Sequence, residues 1–134
     1  MDKNFVTMSI HGVSVGDGTA LPVVTLREAT DSGGFMSLQV GPFEASAIIL
    51  QLEGIEPARP LTHDLLASVF KEGGLALLRA EIFGNNGEGP RARLIYRRGL
   101  GCRVREVRPS DALALALRLK APIRASRGLL AGIT

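Results

Sequence analysis

The stretch Ala112 to Leu119 reads Ala-Leu-Ala-Leu-Ala-Leu-Arg-Leu, and it constrains the fold more than any other part of the chain. Its period of two suggests a strand, because alternate residues of a strand share a face. Residue type argues the other way. Alanine and leucine are the strongest helix formers, and the pairs Leu113/Leu117 and Leu115/Leu119 then place apolar bulk almost all round one buried helix. The residues ahead of it, Arg108-Pro109-Ser110-Asp111, supply a complete start signal. Proline suits the first helical position, where its missing N–H has no intrahelical partner, and an acid in the first turn meets the positive end of the dipole. Pro122 closes the helix.

Arg59-Pro60-Leu61-Thr62-His63-Asp64-Leu65-Leu66 repeats the phrase and marks a second helix start. Capping accounts for the Pro, the Ser or Thr and the Asp. It does not account for the leading arginine, or for the histidine beside one aspartate. If the two starts lie close together, Arg59, His63, Asp64, Arg108, Ser110 and Asp111 form one polar cluster. One reading of that cluster is structural: a guanidinium clamps a carboxylate through two parallel hydrogen bonds, so Arg59 with Asp111, or Arg108 with Asp64, ties the starts together. The other is a site, with His63, Asp64 and Asp111 as catalytic candidates, His63 serving as general acid or base, and Arg59, Arg108 and Ser110 contacting substrate. Metal ligands are scarce, because His11 and His63 are the only imidazoles and Glu44 and Glu106 are remote additions to the two aspartates. The cofactor is left open, with magnesium and manganese the divalent ions to test. No phosphate-cradling Gly-x-x-x-x-Gly-Lys loop and no Gly-x-Gly-x-x-Gly helix start is present.

Phe5 to His11 alternates as a strand, and Gly12 shifts its phase as a bulge would. Gly16-Asp17-Gly18 is a turn, and Val23 to Glu28 and Phe35 to Val40 are two more strands joined through Asp31-Ser32-Gly33-Gly34. Gly41-Pro42-Phe43-Glu44 opens a helix with Ala45, Ile48, Ile49 and Leu52 on its buried face. In the helix after Arg59, Leu65, Leu66, Val69 and Phe70 face inward. Leu75 to Phe83, Arg91 to Arg98 and Gly101 to Val107 are strands, with room for a short C-terminal one at Ile123 to Ser126. The expected fold is α+β: a mixed β-sheet with about three helices, ordered β-β-β-α-α-β-β-β-α, in one domain spanning 1–134. The single Cys102 excludes an internal disulfide and fits a reducing compartment, and no stretch approaches the ~20 apolar residues of a membrane span. The expectation is a cytoplasmic protein without a membrane partner.

Charge is divided sharply along the chain. Residues 1 to 89 hold five Lys or Arg against eleven Asp or Glu, while residues 90 to 134 hold eleven against two, a balance of +9. That asymmetry fits a polyanion such as nucleic acid, and it also fits an acidic part that satisfies a basic part within the fold or across a dimer. Strand alternation gives the basic charge a direction, since Arg91, Arg93 and Arg97 leave their strand on one side and Arg103 and Arg105 leave the next strand together. A hairpin of these segments is expected to present five arginines on one face, either as a phosphate platform or as a solvated surface.

The two Arg-Pro phrases, the run Ala112-Leu113-Ala114-Leu115-Ala116 with Ala121-Pro122-Ile123 after it, and Glu44-Ala45 through Ile48 resemble, in order, the pattern of the bifunctional nuclease domain family. The resemblance covers nearly the whole chain. It implies an α+β domain with a mixed sheet, commonly a homodimer, and an activity of the kind that gave the family its name, the degradation of DNA and RNA. It implies no catalytic set. A nucleic-acid-binding or regulatory dimer without hydrolysis is the alternative.

Overall fold

The computed structural model describes residues 4–15, 21–30, 33–59, 61–84, 87 and 89–131. The elements run β1 (Phe5–Ser14), β2 (Val23–Glu28), β3 (Phe35–Gln39), α1 (Pro42–Leu52), α2 (Thr62–Glu72), β4 (Leu75–Phe83), β5 (Arg91–Arg98), β6 (Gly101–Val107), α3 (Pro109–Leu119) and β7 (Ile123–Ser126). This is the expected α+β order. The strands form one mixed sheet, β3-β2-β1-β7-β4-β5-β6, in which β7 pairs antiparallel with β1 and parallel with β4. The bulge in β1 is present: the register skips between Ile10 and Gly12, leaving His11 as the extra residue. The turn at Gly16 to Gly18 and the Asp31-Ser32 half of the β2–β3 connection lie outside the described residues.

All three helices pack on one side of the sheet, and α3 lies against both α1 and α2 and on β4 and β5. Its run from Ala112 to Ala116 is fully buried, so the all-round apolar pattern is satisfied by neighbours on every side. Burying Leu113 and Leu115 completely contributes about 2 kcal/mol each. Helix α3 ends at Lys120, which takes the left-handed conformation at φ 57° and lets Ala121 N–H reach the Ala116 carbonyl.

Three local expectations are corrected. Helix α2 begins at Thr62 with Leu61 as its cap, so the proline of the first phrase precedes the helix, and Pro60 itself lies outside the described residues. Leucine has no acceptor, and the Asp64 carboxylate does the capping by taking the Leu61 N–H at 3.0 Å. Of the four residues expected inward on α2, only Phe70 is buried, its ring centre 5.6 Å from that of Tyr96 and tilted 59° to it; Leu65, Leu66 and Val69 are exposed because the helix rests on Ala67 and Phe70 instead. Leu52 of α1 is exposed as well, at the last turn of its helix.

The third correction concerns the arginines. Cross-strand partners share a face, and the β5–β6 register sets Arg93 opposite Glu106 and Arg97 opposite Cys102, but Arg105 opposite Leu94 and Arg103 opposite Tyr96. Arg103 and Arg105 therefore lie on the helix side, beyond α2, and the five do not form one face. A two-residue turn at Gly99-Leu100, with Gly99 at φ +60°, fixes that register.

Strand β7 is the only link in the sheet between β1 and β4, so its loss leaves two three-stranded pieces. Deleting residues 123 to 134 is expected to abolish the cooperative urea transition followed by circular dichroism; a variant that still melts in one sharp step shows that the halves hold together without β7.

Candidate functional site

The helix starts converge, with partners different from those expected. Asp111, the third residue of α3, receives the Arg108 side chain through two bonds, Nε to Oδ2 at 2.9 Å and Nη2 to Oδ1 at 3.1 Å. The His63 Nε2 lies 3.0 Å from the same Oδ1. Arg108 also reaches back to Glu44 of α1 at 3.1 Å. Glu44, His63 and Asp111 thus come from the opening turns of all three helices and meet around one guanidinium. Gly41 permits this, because a Cβ there would collide with the Glu44 carboxylate folded over the start of α1.

Asp64 turns the other way and pairs with Arg118 at 2.9 Å. Arg118 is a residue that the sequence reading missed. Its spacing carried a signal: seven residues after Asp111 is two helical turns, so both side chains lie on the face of α3 that α2 crosses. Arg59 is exposed and pairs with none of the described residues, and Ser110 is buried. Neither Arg59 with Asp111 nor Arg108 with Asp64 forms.

Burial alone pushes the Asp111 carboxyl up, but the hydrogen bonds from Arg108 and His63 outweigh it and hold the group below the usual aspartate range. An ionised Asp111 accepts only, so His63 presents a proton on Nε2, which leaves Nδ1 as the ring nitrogen turned away from the carboxylate. The His63 side chain is 13% exposed and borders a crevice of about 20 Å³, room for one water, between Ala47, Leu50, Ala114 and Arg118. Arg108 is 65% exposed. Among the described residues no three His, Cys, Asp or Glu side chains come together as a cation site, and the acids near His63 are each committed to an arginine. The donor set does not fit magnesium or manganese.

The uncovered face of the sheet holds the second feature. Arg91, Arg93 and Arg97 of β5 project there, as expected, and the register adds Arg79 of β4, Arg124 of β7 and Arg27 of β2. Among the described strand residues of this face, six arginines accompany two acids, Glu81 and Glu106. Glu81 is 7% exposed and takes Arg79 and Arg93 at 2.7 Å each, while Glu106 pairs with Arg91. Arg93 also lies over Phe83 and Phe5, 4.6 and 5.7 Å from the ring centres. Sequence reasoning could not supply Arg79 and Arg124, because Arg79 reaches its place through the β4–β5 register, which shifts between Leu77 and Arg79, and Arg124 through β7 inserting next to β4.

The sequence pattern of the bifunctional nuclease domain matches residues 24–133. The chain belongs to the bifunctional nuclease domain family. Two proteins described as uncharacterized, from the CDC 1551 and H37Rv strains of Mycobacterium tuberculosis, are each 36% identical to it over 122 residues, 91% of this chain and 72% of theirs. Family membership points to a nuclease-like or nucleic-acid-binding role. Among the described residues no helix is long and apolar enough to cross a membrane.

Since its folded pKa is depressed, Asp111 contributes stability above its unfolded pKa of about 3.9, and the contribution fades as pH falls through the lower folded value. Asp111→Asn is expected to lose about 1–2 kcal/mol at neutral pH. Urea melts should show the gap to wild type closing once pH drops below about 4; a gap independent of pH refutes the ionic explanation.

Proposed function

We propose that this domain acts on RNA or DNA phosphodiester bonds, drawing the strand onto the uncovered sheet face and cleaving it at the cluster of helix starts. The observation that carries the reading is the uncovered face, where arginines outnumber acids by six to two among the described strand residues. Phosphate contacts of that kind set affinity without sequence preference. One more step of the β5–β6 register puts Arg91 opposite Arg108, so the face leads round the sheet's end to the His63–Asp111 pair.

There Asp111 holds the imidazole and Nδ1 of His63 takes the proton of the 2′-hydroxyl as its oxygen bonds to phosphorus; the P–O5′ bond breaks, the 5′-oxygen leaves with a proton from solvent water, and Arg108 offsets charge building on the phosphate. RNA suits this set better than DNA, because its 2′-hydroxyl is a nucleophile already positioned beside the phosphate. The second reading, binding without cleavage, is favoured by one observation: His63 is mostly covered and opens on a space of about 20 Å³. Incubation with single-stranded RNA separates the two. Wild type is expected to cleave, and His63→Ala to bind equally well while cleaving about 10²–10⁴ times more slowly. Intact RNA after incubation with folded wild type supports the binding module.

The homodimer belongs to the same proposal. Leu65, Leu66 and Val69 form an exposed apolar stripe on α2, the natural contact for a second copy. Light scattering is expected to give a dimer for wild type and a monomer for Leu65→Glu; a wild-type monomer at all concentrations removes the idea.

A further inference from the structure

Two kinds of arginine–carboxylate pair occur in this molecule. Arg108 with Asp111 and Arg91 with Glu106 are two-pronged, with Nε and Nη2 each on a carboxylate oxygen, and Arg108 spends its Nη2 on Glu44 as well, so neither cation outnumbers the carboxylates it meets. At the centre of the uncovered face the arrangement differs. Glu81 gives one oxygen to Arg79 and the other to Arg93, and each arginine uses only its Nε. Two cations share one anion. The terminal nitrogens of both guanidiniums make no hydrogen bond with the described residues, and the positive charge is left half neutralised. Arg124 of the adjoining strand, anchored to the Phe5 carbonyl at 2.9 Å, adds a third cation.

These residues line a concavity of about 480 Å³ together with Phe5, Ile95 and Val104. That is the size of a small-ligand pocket, with apolar walls and a few convergent charges. We infer that it is a phosphate seat for one nucleotide unit of a single strand, the phosphate held by the terminal nitrogens of Arg79 and Arg93 and the sugar and base lying toward Val104. Glu81 is a positioning residue. An unrestrained arginine gives up side-chain freedom when it is fixed. Here the buried carboxylate fixes two of them in advance, and the Phe83 and Phe5 rings hold the Arg93 plane. A duplex presents its phosphates on a broad cylinder and does not enter a hollow of this size. The Phe rings are already occupied by Arg93, so base stacking is weak and sequence preference small.

The inference rests on the nucleic-acid reading, and its test separates the two. Fluorescence anisotropy with a labelled single-stranded 12-mer, and titration with cytidine monophosphate against cytidine, are run on wild type, Arg79→Gln, Arg79→Lys and Glu81→Gln, each checked by thermal melting. Arg79→Gln and Arg79→Lys are expected to weaken the 12-mer roughly tenfold, about the worth of one charge-assisted hydrogen bond. Glu81→Gln decides the mechanism, because it makes the face more positive yet releases the clamp. Several-fold weaker binding is expected, whereas equal or tighter binding means the face attracts polyanions as bulk charge and overturns the seat, leaving the nucleic-acid reading intact. Should Glu81→Gln fail to fold, Arg79→Lys decides, since it keeps the charge and loses the fork; undiminished binding overturns the seat. Wild type that binds cytidine monophosphate over cytidine, but no strand, keeps the phosphate pocket and removes the nucleic-acid reading. Binding of neither overturns both.

Discussion

The parallel pairing of β7 with β4 is the contact on which the rest of the structure depends. Four residues, Ile123 to Ser126, arrive last in the chain and occupy the middle of the sheet. Ile123 and Ala125 go into the core beneath the helices, and Arg124 is sent to the other side, opposite Thr7 of β1 and Glu81 of β4. A single strand thereby joins two antiparallel halves and completes the ring of arginines around the buried Glu81 carboxylate. Parallel pairing of distant segments is slow to form, because loop closure must precede the contacts that reward it. Helix α3 delivers the chain to β7, and its packing on β4 and β5 carries the last strand to its place in the sheet.

The helix layer has its own hub in Arg108. Each helix carries an acid at its third position, and each would be content at its own N-terminus. What ties the layer together is that Arg108 serves Asp111 and Glu44 together while His63 brings α2 to the same carboxylate. Asp64 and Arg118 form a second tie two turns along α3. These are partly exposed pairs, individually modest, and their effect is to fix the crossing of α2 over α3 more than to add net stability.

Much of this was legible from the residues. Ala112 to Leu119 read as a buried helix because composition outweighed period, and the bulge near Gly12 and the short strand after Pro122 followed from local signals. The convergence of His63, Arg108 and Asp111 was legible from the repeated phrase. What could not be read is what depends on register between distant strands. Arg103 and Arg105 alternate as regularly as Arg91 and Arg93, and only the pairing of Arg105 with Leu94 shows that they face the helices. The inward reading of Leu65, Leu66 and Val69 failed for a related reason: spacing identifies an apolar stripe on a helix, but whether a partner covers it is decided by where the helix docks.

The separation of charge between the two sides bears on how chemistry at His63 can work on the proposed reading. Around His63 the acids Glu44, Asp64 and Asp111 oppose Arg108 and Arg118, so the surroundings do not favour an approaching phosphate. At an effective dielectric of about 20, one unpaired charge at 4 Å is worth about 4 kcal/mol, enough to decide where a polyanion settles. On that reading it settles on the sheet face, where arginines are in excess among the described strand residues. Reaching His63 then requires the strand to turn round the end of β5 and β6, past Arg91 and Arg108. A stiff duplex resists that turn and a single strand does not. The same geometry that makes His63 a poor first contact thus restricts it to flexible substrates already anchored elsewhere.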